Sequence, residues 1–126
     1  MSKVKIYQKA WSQALKGDFS LVDQIYHPEY RSFDLRTGIY TNIDDDKVIV
    51  TTENEEIFTS YPDVLYENDE FLGIQRYSRV NKYTWFSMIS CVKYKDGKVF
   101  TQWTVREPLQ TDPSTEEGWN WNDYKP

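Results

Sequence analysis

Val4, Tyr7, Trp11, Ala14 and Leu15 return at intervals of three and four residues, so they share one helical face, and Gly17 is placed to stop that helix. Leu21, Val22, Ile25 and Tyr26 predict a shorter second helix. Asp18 or Ser20 caps it and Pro28 ends it, because a proline ring disfavours the helical conformation in the residue before it. The two pack as a tight helical hairpin. From Tyr30 to Tyr40 the pattern is extended and is broken at Gly38. Asn42 or Asp44 then opens a third helix, whose acidic first turn suits the positive end of the helix dipole. Its expected buried face is Val48, Ile49, Thr52, Ile57 and Phe58, and Tyr61-Pro62-Asp63 is its stop. Beyond that the chain is rich in aromatic and β-branched residues. Strands are expected at Val64 to Glu67, Phe71 to Arg79, Tyr83 to Lys95 and Lys98 to Glu107, with Asp96-Gly97 as a tight hairpin turn.

Helices first and an antiparallel sheet afterwards make the fold class α+β, with three N-terminal helices packed on one face of the sheet. In the strand Tyr83 to Lys95 both alternating sets are apolar: Thr84, Phe86, Met88, Ser90 and Val92 on one side, Tyr83, Trp85, Ser87, Ile89 and Cys91 on the other. The helices cover one side only, so the other predicts a homodimer through the outer sheet face. In the last strand Val99, Thr101, Trp103, Val105 and Glu107 form the more apolar set and are expected to point inward, with Glu107 at the wide end.

The chain has 126 residues, enough for one core, and 10 Tyr and 5 Trp, far more than a disordered segment carries. Its net charge of −5 and the lack of a basic run argue against nucleic acid as a partner. The single cysteine, Cys91, has no disulfide partner and is expected to be a buried, inert thiol in the sheet. No apolar leader or membrane-length run is present, so no membrane is expected and the cytoplasm is the expected compartment. Composition changes at residue 111. Residues 1–110 read as the domain and 111–126 as a polar tail, with Trp119, Trp121 and Tyr124 expected over a pocket mouth or against a partner subunit.

The order of these elements, carried by "WSQALKGD", "VDQIYHPEY", "TSYPDV" and "KDGKVFTQW", resembles the nuclear transport factor 2-like superfamily, in particular its SnoaL-like polyketide cyclase and ketosteroid isomerase branch. The likeness spans nearly residues 3–107. It implies a cone: a strongly curved sheet wrapped round the helices, a pocket at the open end, and often a dimer. Asp34 falls where ketosteroid isomerases of this superfamily carry their general base, while the two positions of their oxyanion donors fall near Ala10 and Ser90. The linked Asp, Arg and Asp of limonene epoxide hydrolases has no counterpart on a strand here. SnoaL-like cyclases carry an acid a few residues after a Trp of the final strand, and Glu107 stands four residues after Trp103.

Asp34 and Glu107 are therefore the acid and base candidates, since a carboxylate in an apolar cavity has its pKa raised towards neutrality. Both carry an alternative: if its neighbours Phe33 and Leu35 face the core, Asp34 faces solvent, and Glu107, before Pro108 at a strand end, reads equally as a solvated end residue. Tyr7, Trp11, Tyr26, Tyr30, Phe86 and Trp103 are candidates to line a cavity for a flat apolar ligand, or to form core. Arg79 or Arg106 could hold a ligand carboxylate or phosphate, or form a surface ion pair. His27 reads as a cationic cap on the second helix, and Asp44 to Asp46 as helix-start electrostatics. No metal site and no cofactor are expected. The expected function is a cofactor-independent isomerase, cyclase or dehydratase acting on a small apolar carbonyl compound. The alternative is a ligand-binding or protein-interaction domain of the same fold.

Overall fold

The computed structural model describes residues 2–53 and 57–124. Helix α1 (Lys3–Leu15) starts at Ser2, whose hydroxyl accepts from the Lys5 backbone N–H, and ends where Gly17 turns left-handed at φ 93°. Helix α2 (Ser20–Ile25) is a turn and a half. Strand β1 (Tyr26–Asp34) follows at once and continues past Pro28, its pairing register shifting between Tyr26 and Arg31, so the expected helix end is a strand. His27 is accordingly no helix cap: its Nδ1 accepts from the Glu29 N–H at 3.0 Å and its ring packs edge-on against Phe100.

A two-residue strand, β2 (Tyr40–Thr41), precedes α3 (Ile43–Glu53). Asn42 and Asp45 begin α3 as a reciprocal cap, each side chain accepting from the other's N–H. The face turned to the core is not the expected one. Val48 is 63% and Ile49 47% exposed, whereas Ile43 and Val50 pack on the core. Ile57 and Phe58 belong to strand β3 (Ile57–Thr59), and the expected passage of the helix through residues 54–56 lies outside the described residues. The acidic start forced this phase: with Asp46 directed at β1 and β2, the helix has no freedom to turn Val48 inward.

Strands β4 (Asp63–Glu67), β5 (Phe71–Val80), β6 (Thr84–Lys95) and β7 (Lys98–Leu109) lie close to their expected places. The β6–β7 turn carries Asp96 at φ 55° and Gly97 at φ 75°, the two left-handed residues that a tight hairpin requires. The sheet is ordered β2-β1-β7-β6-β5-β3, with β4 also on β5; it is antiparallel except for β1 and β7, and it curves without closing. The three helices pack on part of its concave face. Val22, Leu72, Ile74, Val92 and Val99 are wholly buried there, each stabilising the fold by about 1.5–3 kcal/mol. This is an α+β cone.

A bulge decides the facing of the last strand. Tyr94 pairs with Val99 but Lys93 with Thr101, so β7 carries one extra residue and its alternation reverses. Val99 faces in; beyond the bulge Gln102, Thr104 and Arg106 face in. Trp103, Val105 and Glu107 lie on the convex face, contrary to expectation. Cys91, opposite Trp103 on that face, is exposed rather than buried.

The final stretch is folded. Helix α4 (Pro113–Glu117) and a 3₁₀ turn (Trp121–Tyr124) strap the convex side of β5 and β3. Trp119 stacks on Tyr77 at 6.1 Å, Tyr124 meets Tyr61 at 4.8 Å, and Arg79 lies between Phe58 and Trp121. The three tail aromatics thus cover part of the outer face and not a mouth on the concave side. Among the described residues no helix is long and apolar enough to cross a membrane.

Candidate functional site

The concave face carries residues in ranks across the strands. One rank is Ser32, Gln102, Val92 and Leu72; the next is Asp34, Thr104, Ser90 and Ile74; the third is Arg106, Met88 and Arg76. Successive members of a rank are one strand apart, about 4.8 Å, so Asp34 and Ser90 are separated by roughly 10 Å. The third rank lies towards the end of the sheet that the β6–β7 turn leaves open.

Polar groups join these ranks. The Tyr7 hydroxyl donates to Gln102 Oε1 at 2.9 Å, Gln102 Nε2 donates to Thr104 Oγ1 at 3.1 Å, and Thr104 and Ser90 share a bond of 2.8 Å. Arg76 Nη1 donates to Ser90 Oγ at 3.1 Å, which holds its guanidinium over the middle of the sheet. Arg106 lies against the Phe86 ring at 4.4 Å. Neither arginine forms an ion pair among the described residues.

Asp34 lies on the concave face in register with Thr104. One oxygen, Oδ1, accepts the backbone N–H groups of Arg36 and Thr37 at 2.8 and 3.3 Å and so closes the β1–β2 turn; the other takes no hydrogen bond among the described residues. Glu107, its expected partner, is exposed on the opposite face across from Ser87. The structure does not bring the two together.

A second carboxyl, which the sequence reading assigned to helix-start electrostatics, is built into the core side. Asp46 accepts from the Tyr30 hydroxyl at 3.0 Å and from the Thr41 hydroxyl at 2.6 Å. Burial raises its pKa above the usual carboxylate value, although both hydrogen bonds oppose the rise. Burial likewise pushes the phenols of Tyr26 and Tyr30 well above their ordinary value. The aromatic candidates divide. Tyr7, Tyr26 and Tyr30 are core, joined to Trp11 through its indole N–H on the Tyr26 hydroxyl. Phe86 is concave, one rank beyond Met88, whereas Trp103 and Arg79 are convex.

Arg76, Ser90, Gln102 and Thr104 were not among the sequence candidates. A signal existed: in the alternating sets Leu72-Ile74-Arg76-Ser78 and Phe86-Met88-Ser90-Val92, polar residues interrupt a face that is otherwise apolar. Two half-open surface hollows lie at the other end of the sheet, one of about 550 Å³ beside Asp69, Lys93 and Phe100, another of about 280 Å³ beside Lys3, Ile6 and Tyr7. Among the described residues no cluster of three or more metal-ligating side chains occurs.

No protein-family model matches the chain, and no curated protein does. Solved structures do match. IdmH of Streptomyces antibioticus, described as a candidate polyketide cyclase, is 10% identical with a TM-score of 0.64, covering 83% of this chain and 92% of its own. An NTF2-like protein of unknown function from Burkholderia xenovorans is 13% identical with a TM-score of 0.64, covering 94% and 93%. A hypothetical protein with a ketosteroid isomerase-like fold from Catenulispora acidiphila, solved with trimethylamine, is 11% identical with a TM-score of 0.56, covering 100% and 99%.

Proposed function

The chain has the nuclear transport factor 2-like fold, and we propose that its concave face binds a small apolar molecule bearing a carbonyl or carboxylate oxygen and acts on it as a cofactor-independent isomerase, cyclase or dehydratase. One observation carries this reading: Asp34, with one oxygen fixed and the other free, shares a concave rank with the Ser90 hydroxyl that anchors the Arg76 guanidinium. Asp34 would remove a proton next to the carbonyl. Arg76 and Arg106 would hold the negative charge that develops on the oxygen, the largest electrostatic contribution available in such a reaction. Glu107 has no part in this chemistry, because it lies on the other face. No cofactor is called for by proton transfer of this kind.

The probe is acetophenone in D₂O, with exchange of its methyl protons followed by NMR. Exchange that the wild type accelerates and Asp34→Asn abolishes, with acetophenone still bound, is the expected result. Binding without exchange would leave the second reading, a ligand-binding domain of the same fold. That reading is favoured by the use of Asp34 Oδ1 as a turn cap. The part of the convex face that the strap leaves open, around Ile89 and Cys91, supports self-association as a homodimer.

A further inference from the structure

Hydrogen counting on the concave floor isolates one donor. Ser90 and Thr104 each bring one hydroxyl hydrogen and two acceptor lone pairs. Arg76 donates to Ser90, Gln102 donates to Thr104, and the two hydroxyls share a single bond between them. That bond uses one hydroxyl hydrogen and leaves the other over. Burial decides which. Ser90 is 0% exposed, so a hydrogen left on it would be a buried unsatisfied donor, at a cost of about 1–3 kcal/mol. Ser90 therefore donates to Thr104, and both lone pairs of Thr104 are filled. The Thr104 hydroxyl hydrogen has no acceptor in the protein among the described residues, and Thr104, half-buried, stands on the concave face. The Tyr7 hydroxyl supports the assignment, since by donating to Gln102 Oε1 it turns Nε2 towards Thr104.

We infer that the Thr104 hydroxyl is the specificity-determining donor of the concave site, reserved for an acceptor oxygen on the ligand. This rests on the reading of that face as the binding site. Its neighbours on either side are complementary: Asp34, in register with Thr104, presents a free carboxylate oxygen, and Arg76 a guanidinium. A ligand that presents only hydrocarbon to Thr104 leaves its hydrogen stripped of water and unpaired. Discrimination against such a ligand is therefore large, whereas a pocket lined only by apolar groups would discriminate little between the two. The substrate class is a ketone, ester or acid, and not an alkene of the same shape.

The test compares acetophenone with α-methylstyrene, its isostere with CH₂ in place of the carbonyl oxygen, by NMR titration of the full chain. Wild type is expected to prefer acetophenone about tenfold, Thr104→Val to reduce that preference to threefold or less, and Thr104→Ser to restore it. The infrared carbonyl stretch of bound acetophenone should move to lower wavenumber in wild type. That measurement, with the wild-type preference, decides the matter if Thr104→Val fails to fold. Equal binding of the two probes by wild type, or a preference that survives in Thr104→Val, overturns the assignment of Thr104 while the binding face stands. Failure of wild type to bind either probe overturns the binding face and the assignment with it.

Discussion

Asp34 and Thr104 are partners across the parallel pair β1–β7, so a carboxylate and a hydroxyl from strands far apart in sequence project side by side from the concave face. Asp34 also does a local job, because its Oδ1 holds the turn to Thr37. Its two roles separate by substitution. Asp34→Asn keeps an acceptor for both backbone N–H groups and is expected to unfold within a few tenths of a kcal/mol of wild type. Asp34→Ala leaves them without a protein partner and is expected to lose about 1 kcal/mol in urea unfolding. Equal losses in the two variants would show that the turn does not depend on the side chain.

Asp46 gives the fold a pH dependence of defined sign. Its folded pKa is raised by burial, so the folded state holds this proton more tightly than the unfolded chain does. The stability it contributes is fully present below the unfolded value near 3.8 and is lost as pH rises through the raised folded value. Asp46→Asn removes this term. Its stability relative to wild type should therefore climb as pH rises above about 4, read as the difference in urea midpoints across a pH series. A difference independent of pH would mean that the carboxyl is not burdened by burial.

The strap depends on Asp112. Its Oδ1 accepts from the Ser114 N–H, the Ser114 hydroxyl and the Trp121 indole, at 2.9, 2.7 and 3.0 Å. Burial pushes its pKa up, but those hydrogen bonds and the Arg79 charge outweigh this, and it sits below the usual value. The sign is therefore opposite to that of Asp46: the contribution is present above the unfolded value and lost as pH falls through the folded one. Asp112→Ala should cost about 1 kcal/mol as a lost helix cap and weaken the near-ultraviolet circular dichroism of the packed indoles. An unchanged aromatic spectrum would show that ring packing alone holds the strap.

Ile89 tests the assembly. It is 45% exposed at the centre of the convex strand β6, away from the strap. Ile89→Lys should convert a dimer to a monomer in light scattering after gel filtration, with little change in thermal stability at low concentration. A wild type that stays monomeric as its concentration is raised would remove the convex-face dimer.

The strands from Val64 onward were legible in the sequence because alternation and an Asp-Gly turn are local properties, set by the chirality of the backbone and the side chains of neighbouring residues. Helix α1 was legible for the same reason, its apolar stripe being longer than any competing pattern. The segment from Ile25 to Pro28 misled, because a proline that ends a helix is equally at home in an outer position of a strand, and pairing with Val99 of β7 settles which.

Sequence alone determined the class of fold, the first helix and the later strands, since each depends on residues close together in the chain; Asp34 entered only as what the resemblance implied. Tertiary structure decided which face each of those residues serves. One extra residue at Phe100 reversed the alternation of β7, sending Glu107 and Trp103 outward and bringing Gln102, Thr104 and Arg106 inward. The side-chain period of a strand is two, so a shift of one position exchanges its faces completely, and only the pairing with β6 and β1 reveals the shift.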